Sequence, residues 1–162
     1  MPLEVSLRTL RFATAVAMLG LAVSSFAADK LFDPTRDSAK DLKAAIESAR
    51  QQHKNILLDV GGNWCPWCIL LDRTLAEDAE LHGLVEKNYV LLRVNFSQEK
   101  ENAAFLGAYP AAKGYPAWYV LSSEGKLLKA EDTSALEQDH KLNAGYSKDA
   151  LKAFLAENAP NS

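Results

Sequence analysis

Cys65 and Cys68 are the two cysteines of this 162-residue chain, and they stand together in Cys65-Pro66-Trp67-Cys68. A bridge across so short a loop restrains an unfolded chain by only about 2 kcal/mol, so stability does not account for the placement. Reactivity does. A helix beginning near Cys65, with Pro66 in its first turn where a missing N–H does no harm, exposes Cys65 to unpaired backbone N–H groups and the positive end of the helix dipole. Both favour thiolate over thiol and mark Cys65 as the nucleophile of a thiol–disulfide exchange. Cys68, one turn later on the same side, lies where it can attack a mixed disulfide on Cys65 and release the partner. The spacing does not encode the direction of electron flow.

Metal binding competes for the same thiols. A structural zinc site wants four Cys or His ligands, whereas His53, His82 and His140 are scattered and show no metal-ligand spacing. A copper(I) carrier needs fewer ligands and remains the alternative from a different class, with His140 as its third donor. Each histidine reads more simply as a solvated residue. No metal or cofactor is therefore assigned.

The elements that must hold the pair alternate between helix and strand. Ser38 caps a helix to about Gln52, with Leu42, Ala45, Ile46 and Ala49 on one face, and Asn55 to Val60 follows as a buried strand closed by Gly61-Gly62. From Cys65 to about Asn88 the pattern fits one bent helix or two. Tyr89 to Phe96 is a strand and Glu99 to Ala108 a short helix. Ala117–Leu121 and Lys126–Ala130 flank the turn Ser122-Ser123-Glu124-Gly125, and Ser147 caps a last helix to Glu157. This is an α/β chain with a central mixed sheet, flanking helices, and a C-terminal β-hairpin and helix. On the helix after the cysteines, Asp72, Arg73, Glu77 and Glu80 read as a solvated face.

Arg8 and Arg11 precede an apolar run from Phe12 to Val23 and the small residues of Ser24-Ser25-Phe26-Ala27-Ala28. This is the pattern of an export signal cleaved after Ala27, leaving one domain over residues 28–162. A retained anchor fits less well, because the run is about a dozen residues and a membrane-spanning helix needs roughly 20. The location expected is extracytoplasmic, the periplasm if the source is Gram-negative. The net charge of −3 offers no basic surface for a phosphate backbone, so nucleic acid is not an expected partner.

Asp59-Val60-Gly61-Gly62-Asn63-Trp64-Cys65-Pro66-Trp67-Cys68, followed by Gly114-Tyr115-Pro116 and a strand-turn-strand, resembles the thioredoxin superfamily, and within it the exported thioredoxin-like proteins with a Trp-Cys-x-x-Cys motif. The resemblance runs from about Ser38 to Glu157. It implies a thiol-disulfide oxidoreductase acting on protein thiols and disulfides. The family carries a buried acid six positions before the nucleophile, which places Asp59 in that role; inside an apolar strand its pKa should rise, letting it take the proton of the resolving thiol. A strand-end acid paired with a cation is the simpler alternative. Arg93 resembles the position of a family lysine near that acid, and either pairs with Asp59 or reaches solvent from the strand edge.

The family also implies a cis peptide bond before Pro116, beside which a partner chain lies like an added strand. Pro110 is the rival candidate. Tyr115 departs from the small or β-branched residue common at its position, which puts substrate range in doubt. Trp64 and Trp67 form an apolar rim for docking substrate segments, Trp67 being the more exposed of the two, while Trp118 belongs to the core. Strong oxidants of the superfamily often place a histidine between the cysteines, and Pro66-Trp67 stands there instead. The reading therefore leans toward a reductant, re-reduced by a membrane electron-transfer protein.

Overall fold

The structure is a computed structural model that describes residues 30–138 and 145–161. The expected export signal and His140 lie outside the described residues. Among the described residues the elements follow in the order α1 (Ser38–Gln52), β1 (Asn55–Gly61), α2 (Pro66–Glu77), α3 (Ala79–Asn88), β2 (Tyr89–Asn95), α4 (Ala103–Leu106), β3 (Ala117–Leu121), β4 (Leu127–Asp132) and α5 (Lys148–Glu157), with a 3-10 turn at Thr133–Leu136. The sheet order is β2-β1-β3-β4. β1 runs parallel to β2 and antiparallel to β3, and β3 pairs antiparallel with β4. This is the mixed sheet with a C-terminal hairpin and helix that the sequence implies.

Side chains alternate across the sheet and divide the core in two. Ile56, Leu58 and Val60 of β1 join Val94, Tyr119 and Leu121 and meet Ala45 and Ala49 of α1. Leu57 points the other way, with Trp118 and Val120, and packs against Leu71, Leu81, Leu151 and Leu155 of α2, α3 and α5. Asp59 shares this second face by the period of two, a carboxyl where the pattern calls for an apolar side chain.

Several boundaries differ from the sequence reading. Asp37 caps α1, accepting N–H bonds from Ala39 and Lys40 at 3.1 Å, so Ser38 is the first helical residue. The segment after the cysteines is two helices. Asp78 breaks it with extended backbone and caps α3 by accepting the Glu80 and Leu81 N–H groups. The short helix is trimmed to Ala103–Leu106, because residues before it fold into a turn: Asn95 Nδ2 donates to Ser97 Oγ and the Lys100 carbonyl, and Asn102 Nδ2 to the Asn95 carbonyl. The hairpin turn forms as expected, with Gly125 at a φ of 82°, and its second strand runs on to Asp132. No helix among the described residues is long and apolar enough to cross a membrane.

Candidate functional site

β1 ends at Gly61, and the chain turns through Gly62, Asn63 and Trp64 into α2. Cys65 is the N-cap of that helix with Pro66 in its first turn. The Cys65 sulfur accepts the backbone N–H of Cys68 at 3.1 Å, a donor that would stabilise a thiolate there. Cys65 and Cys68 form a disulfide. It is nearly closed to solvent, Cys65 being 3% and Cys68 1% exposed, so a partner's sulfur must be brought to it by contact with the surrounding surface.

Two close approaches fix the disulfide from below. A side chain at Gly61 would place its Cβ 2.6 Å from the Cys68 sulfur and 3.1 Å from the Phe32 ring, which only glycine avoids. Phe32 is fully buried and packs against both cysteines. Asn63 holds it there, donating to the Phe32 carbonyl at 2.6 Å and accepting the Phe32 N–H at 3.1 Å. Phe32 sits some thirty residues before the motif in a stretch without periodicity, and sequence reasoning missed it.

The Tyr115–Pro116 peptide is cis, as expected, and Pro110 is not. This loop faces the disulfide: the Tyr115 carbonyl oxygen lies 3.5 Å from the Cys65 sulfur. The Pro116 carbonyl is turned away and accepts the Thr133 hydroxyl at 2.5 Å. The Tyr115 ring stacks on Phe96 with centroids 4.5 Å apart and meets Trp64 edge-on at 6.0 Å. Trp64, Phe96 and Tyr115 thus make an aromatic rim, of which only Tyr115 and Trp64 were legible in the sequence.

Trp64 takes the rim place expected of it, and Trp67, expected to be the more exposed, does not. Trp64 is 56% exposed, its indole N–H donating to the Phe96 carbonyl at 2.7 Å. Trp67 is half-buried, because the first turn of α2 aims it inward, where it meets Tyr146 at right angles with centroids 5.4 Å apart. Trp118 lies in the core and donates its indole N–H to Asp59 Oδ1 at 3.2 Å.

Asp59 is 3% exposed and its pKa is raised to about 7. Burial is the main cause, reinforced weakly by the Asp72 charge and opposed by Arg93 and by the Trp118 N–H. Asp59 and Gly61 occupy the same face of β1, so the acid lies one strand repeat, about 7 Å, beneath the position where Gly61 meets the Cys68 sulfur. Arg93 stands beside Asp59 in the β1–β2 register, yet its guanidinium donates to Asp72 and makes no hydrogen bond with Asp59, and its side chain remains 33% exposed. Asp72 is therefore not part of a solvated face: one turn beyond Cys68, it closes a half-buried ion pair. Arg73 and Glu77 are exposed, and Glu80 pairs with Lys152 across to α5.

His53 ends α1 in the left-handed region and His82 faces Glu86 on α3 at 3.5 Å. Among the described residues no three His, Cys, Asp or Glu side chains converge as a metal site would require. What the arrangement can do is exchange electrons as sulfur bonds, with a backbone N–H at the Cys65 sulfur and a buried acid on the strand face whose Gly61 meets the Cys68 sulfur.

A family model described as thioredoxin-like matches residues 37–123. A disulfide bond reductase of Chlamydia pneumoniae, DsbH, is 27% identical over 92 residues, which are 52% of this chain and 55% of that protein, so this chain spans about half the length of that curated relative. Among solved structures, a disulphide isomerase from Xylella fastidiosa Temecula1 is 26% identical, superposes with a TM-score of 0.67, and covers 81% of this chain and 98% of its own. The oxidised C-terminal domain of Neisseria meningitidis DsbD, at 20% identity and a TM-score of 0.51 over 75% of this chain and 96% of its own, shares the fold.

Proposed function

The chain belongs to the thioredoxin-like family and holds a disulfide-forming cysteine pair of the kind thiol-disulfide oxidoreductases use, and we propose that it is an exported reductase of protein disulfides. The observation that carries this reading is the Cys65–Cys68 disulfide at the start of α2, one sulfur receiving a backbone N–H and the other meeting Gly61, two residues along β1 from a buried acid. In the reduced protein the Cys65 thiolate attacks a substrate disulfide; one substrate sulfur leaves as a thiolate and the other stays bonded to Cys65. The Asp59 carboxylate takes the proton of the Cys68 thiol, whose sulfur then attacks Cys65. The second substrate thiolate leaves, two electrons have passed to the substrate, and the Cys65–Cys68 disulfide remains.

Trp64, Tyr115 and Pro116 are the surface we assign to the substrate segment, with Trp67 closing the site from within. Pro66-Trp67 between the cysteines, in place of an imidazole that would favour the thiolate of the reduced form, supports the reducing direction. The names of the chlamydial reductase and the Xylella isomerase are consistent with donation of electrons to, or shuffling of, protein disulfides. An extracytoplasmic compartment has no reducing thiol pool, so the oxidised form must be re-reduced by a dithiol relay, for which a membrane electron-transfer protein is the partner assigned. The N-terminal sequence supports that location.

Trapping tests the reading. Cys68→Ser should accumulate mixed disulfides between Cys65 and other proteins, visible as adducts that reductant dissolves, and Cys65→Ser should accumulate few or none. Equal trapping by both variants, or a stoichiometric copper(I) complex without disulfide turnover, would contradict it.

A further inference from the structure

The disulfide has an apolar cluster of its own. The buried members of that cluster are Phe32, Cys65 and Cys68, apart from the two cores on either face of the sheet, with Leu31, Trp67 and Tyr115 packed around them. Phe32 is fully buried and yet joins neither core, so its burial serves the cysteines. The tip of its ring and the Cys68 sulfur border the same small space, the one left open where Gly61 has no side chain.

The ring comes from a strap without helix or strand, residues 30–36, and the matched family span begins only at residue 37. The strap is nonetheless held at two points. Asn63 takes both backbone groups of Phe32. Farther on, Lys100 Nζ donates to the Arg36 carbonyl at 2.6 Å, and the Arg36 guanidinium donates to Asp41 of α1 at 2.7 and 2.8 Å. Two influences then act on the sulfurs in opposite senses. The Cys68 N–H favours a thiolate on Cys65, whereas an apolar ring that keeps water away disfavours one and makes a favourable contact with neutral sulfur. Reduction replaces a neutral disulfide by groups that can carry charge, so the apolar cover stabilises the oxidised pair more than the reduced one.

We propose that Phe32 is a positioning residue that lowers the reduction potential of the Cys65–Cys68 pair, the strap holding its ring against the sulfurs so that the reduced protein is a stronger electron donor. The inference deepens the reductase reading and rests on Cys65 and Cys68 being the exchanging pair.

Phe32→Ala in the full chain, equilibrated with glutathione at pH 7, tests it. Two glutathione thiols give two electrons and two protons to the disulfide and leave joined as glutathione disulfide, while thiol alkylation and mass read the protein. The equilibrium should move about tenfold toward the dithiol, which is about 30 mV. Phe32→Leu keeps apolar bulk against the sulfurs and should move it about threefold in the same direction. The thermal midpoint should fall further in the oxidised protein than in the reduced one, because the lost contact favoured the disulfide. A ring that only filled space would lower both midpoints alike and leave the equilibrium in place; that result, or a shift toward the disulfide, would overturn the inference. If Phe32→Ala does not fold, an unmoved equilibrium in Phe32→Leu overturns it. A wild-type equilibrium typical of a disulfide donor would contradict the reducing direction alone, since the Phe32 shift is a difference between two proteins and is read whatever the starting value.

Discussion

Two aromatic regions flank one disulfide and differ in almost every physical respect. On the outer side Tyr115 stacks on Phe96 and meets Trp64 edge-on, with Trp64 more than half exposed. On the inner side Trp67 meets Tyr146 edge-on and Trp118 donates to Asp59, where burial pushes the carboxyl up to about 7. The first region can meet a polypeptide; the second is shut away from water and holds, in Asp59, the group proposed to take a proton. Exchange chemistry needs both, since a thiolate must be reached from outside while its resolving partner is deprotonated from within.

Breaking the inner region has the largest expected effect. Asp59→Asn should slow substrate release by roughly 10²-fold and flatten its rise with pH near 7, as measured in single-turnover reactions. The same substitution reports on stability. Asp59 binds its proton more tightly folded than unfolded, so wild-type stability should fall as pH rises from about 4 to about 7, by a few kcal/mol, and level off above. In Asp59→Asn that fall should disappear from denaturant unfolding curves. A wild-type stability that instead rises across this window would mean the carboxyl is ionised in the folded protein.

The joint between the regions is Gly61. Gly61→Ala forces a methyl against the Cys68 sulfur and the Phe32 ring, and should destabilise the oxidised protein by about 1–3 kcal/mol. Phe32→Leu in the same background should recover part of the loss by yielding space. The outer region gives the smallest effect: Trp64→Ala should raise KM for a protein substrate by about tenfold with kcat and the pH inflection unchanged. A shift in the pH inflection there would show that the two regions are not separable.

Most of this frame was legible before the fold was known, for local reasons. The cysteine spacing, the acid within Leu57-Leu58-Asp59-Val60, the tyrosine-proline step and the alternation of strands and helices are each written within a few residues. What escaped depends on distant partners. Phe32 reaches the disulfide through Asn63, Asp72 leaves the solvated face because Arg93 of β2 comes to it, and Tyr146 is placed by a bridge to Glu137. Trp64 is on the rim as expected and Trp67 is not, because exposure beside a motif depends on where α2 begins: Trp64 precedes the cap and swings outward to bond Phe96, whereas Trp67 lies in the first turn and is carried toward Tyr146.

Whether this disulfide belongs to a reductant is read from its redox equilibrium against glutathione, with the Cys65–Cys68 state followed by thiol alkylation and mass. A reductant should show a potential near that of thioredoxin, roughly −270 mV; a value near roughly −120 mV would make the protein a disulfide donor and overturn the proposed direction.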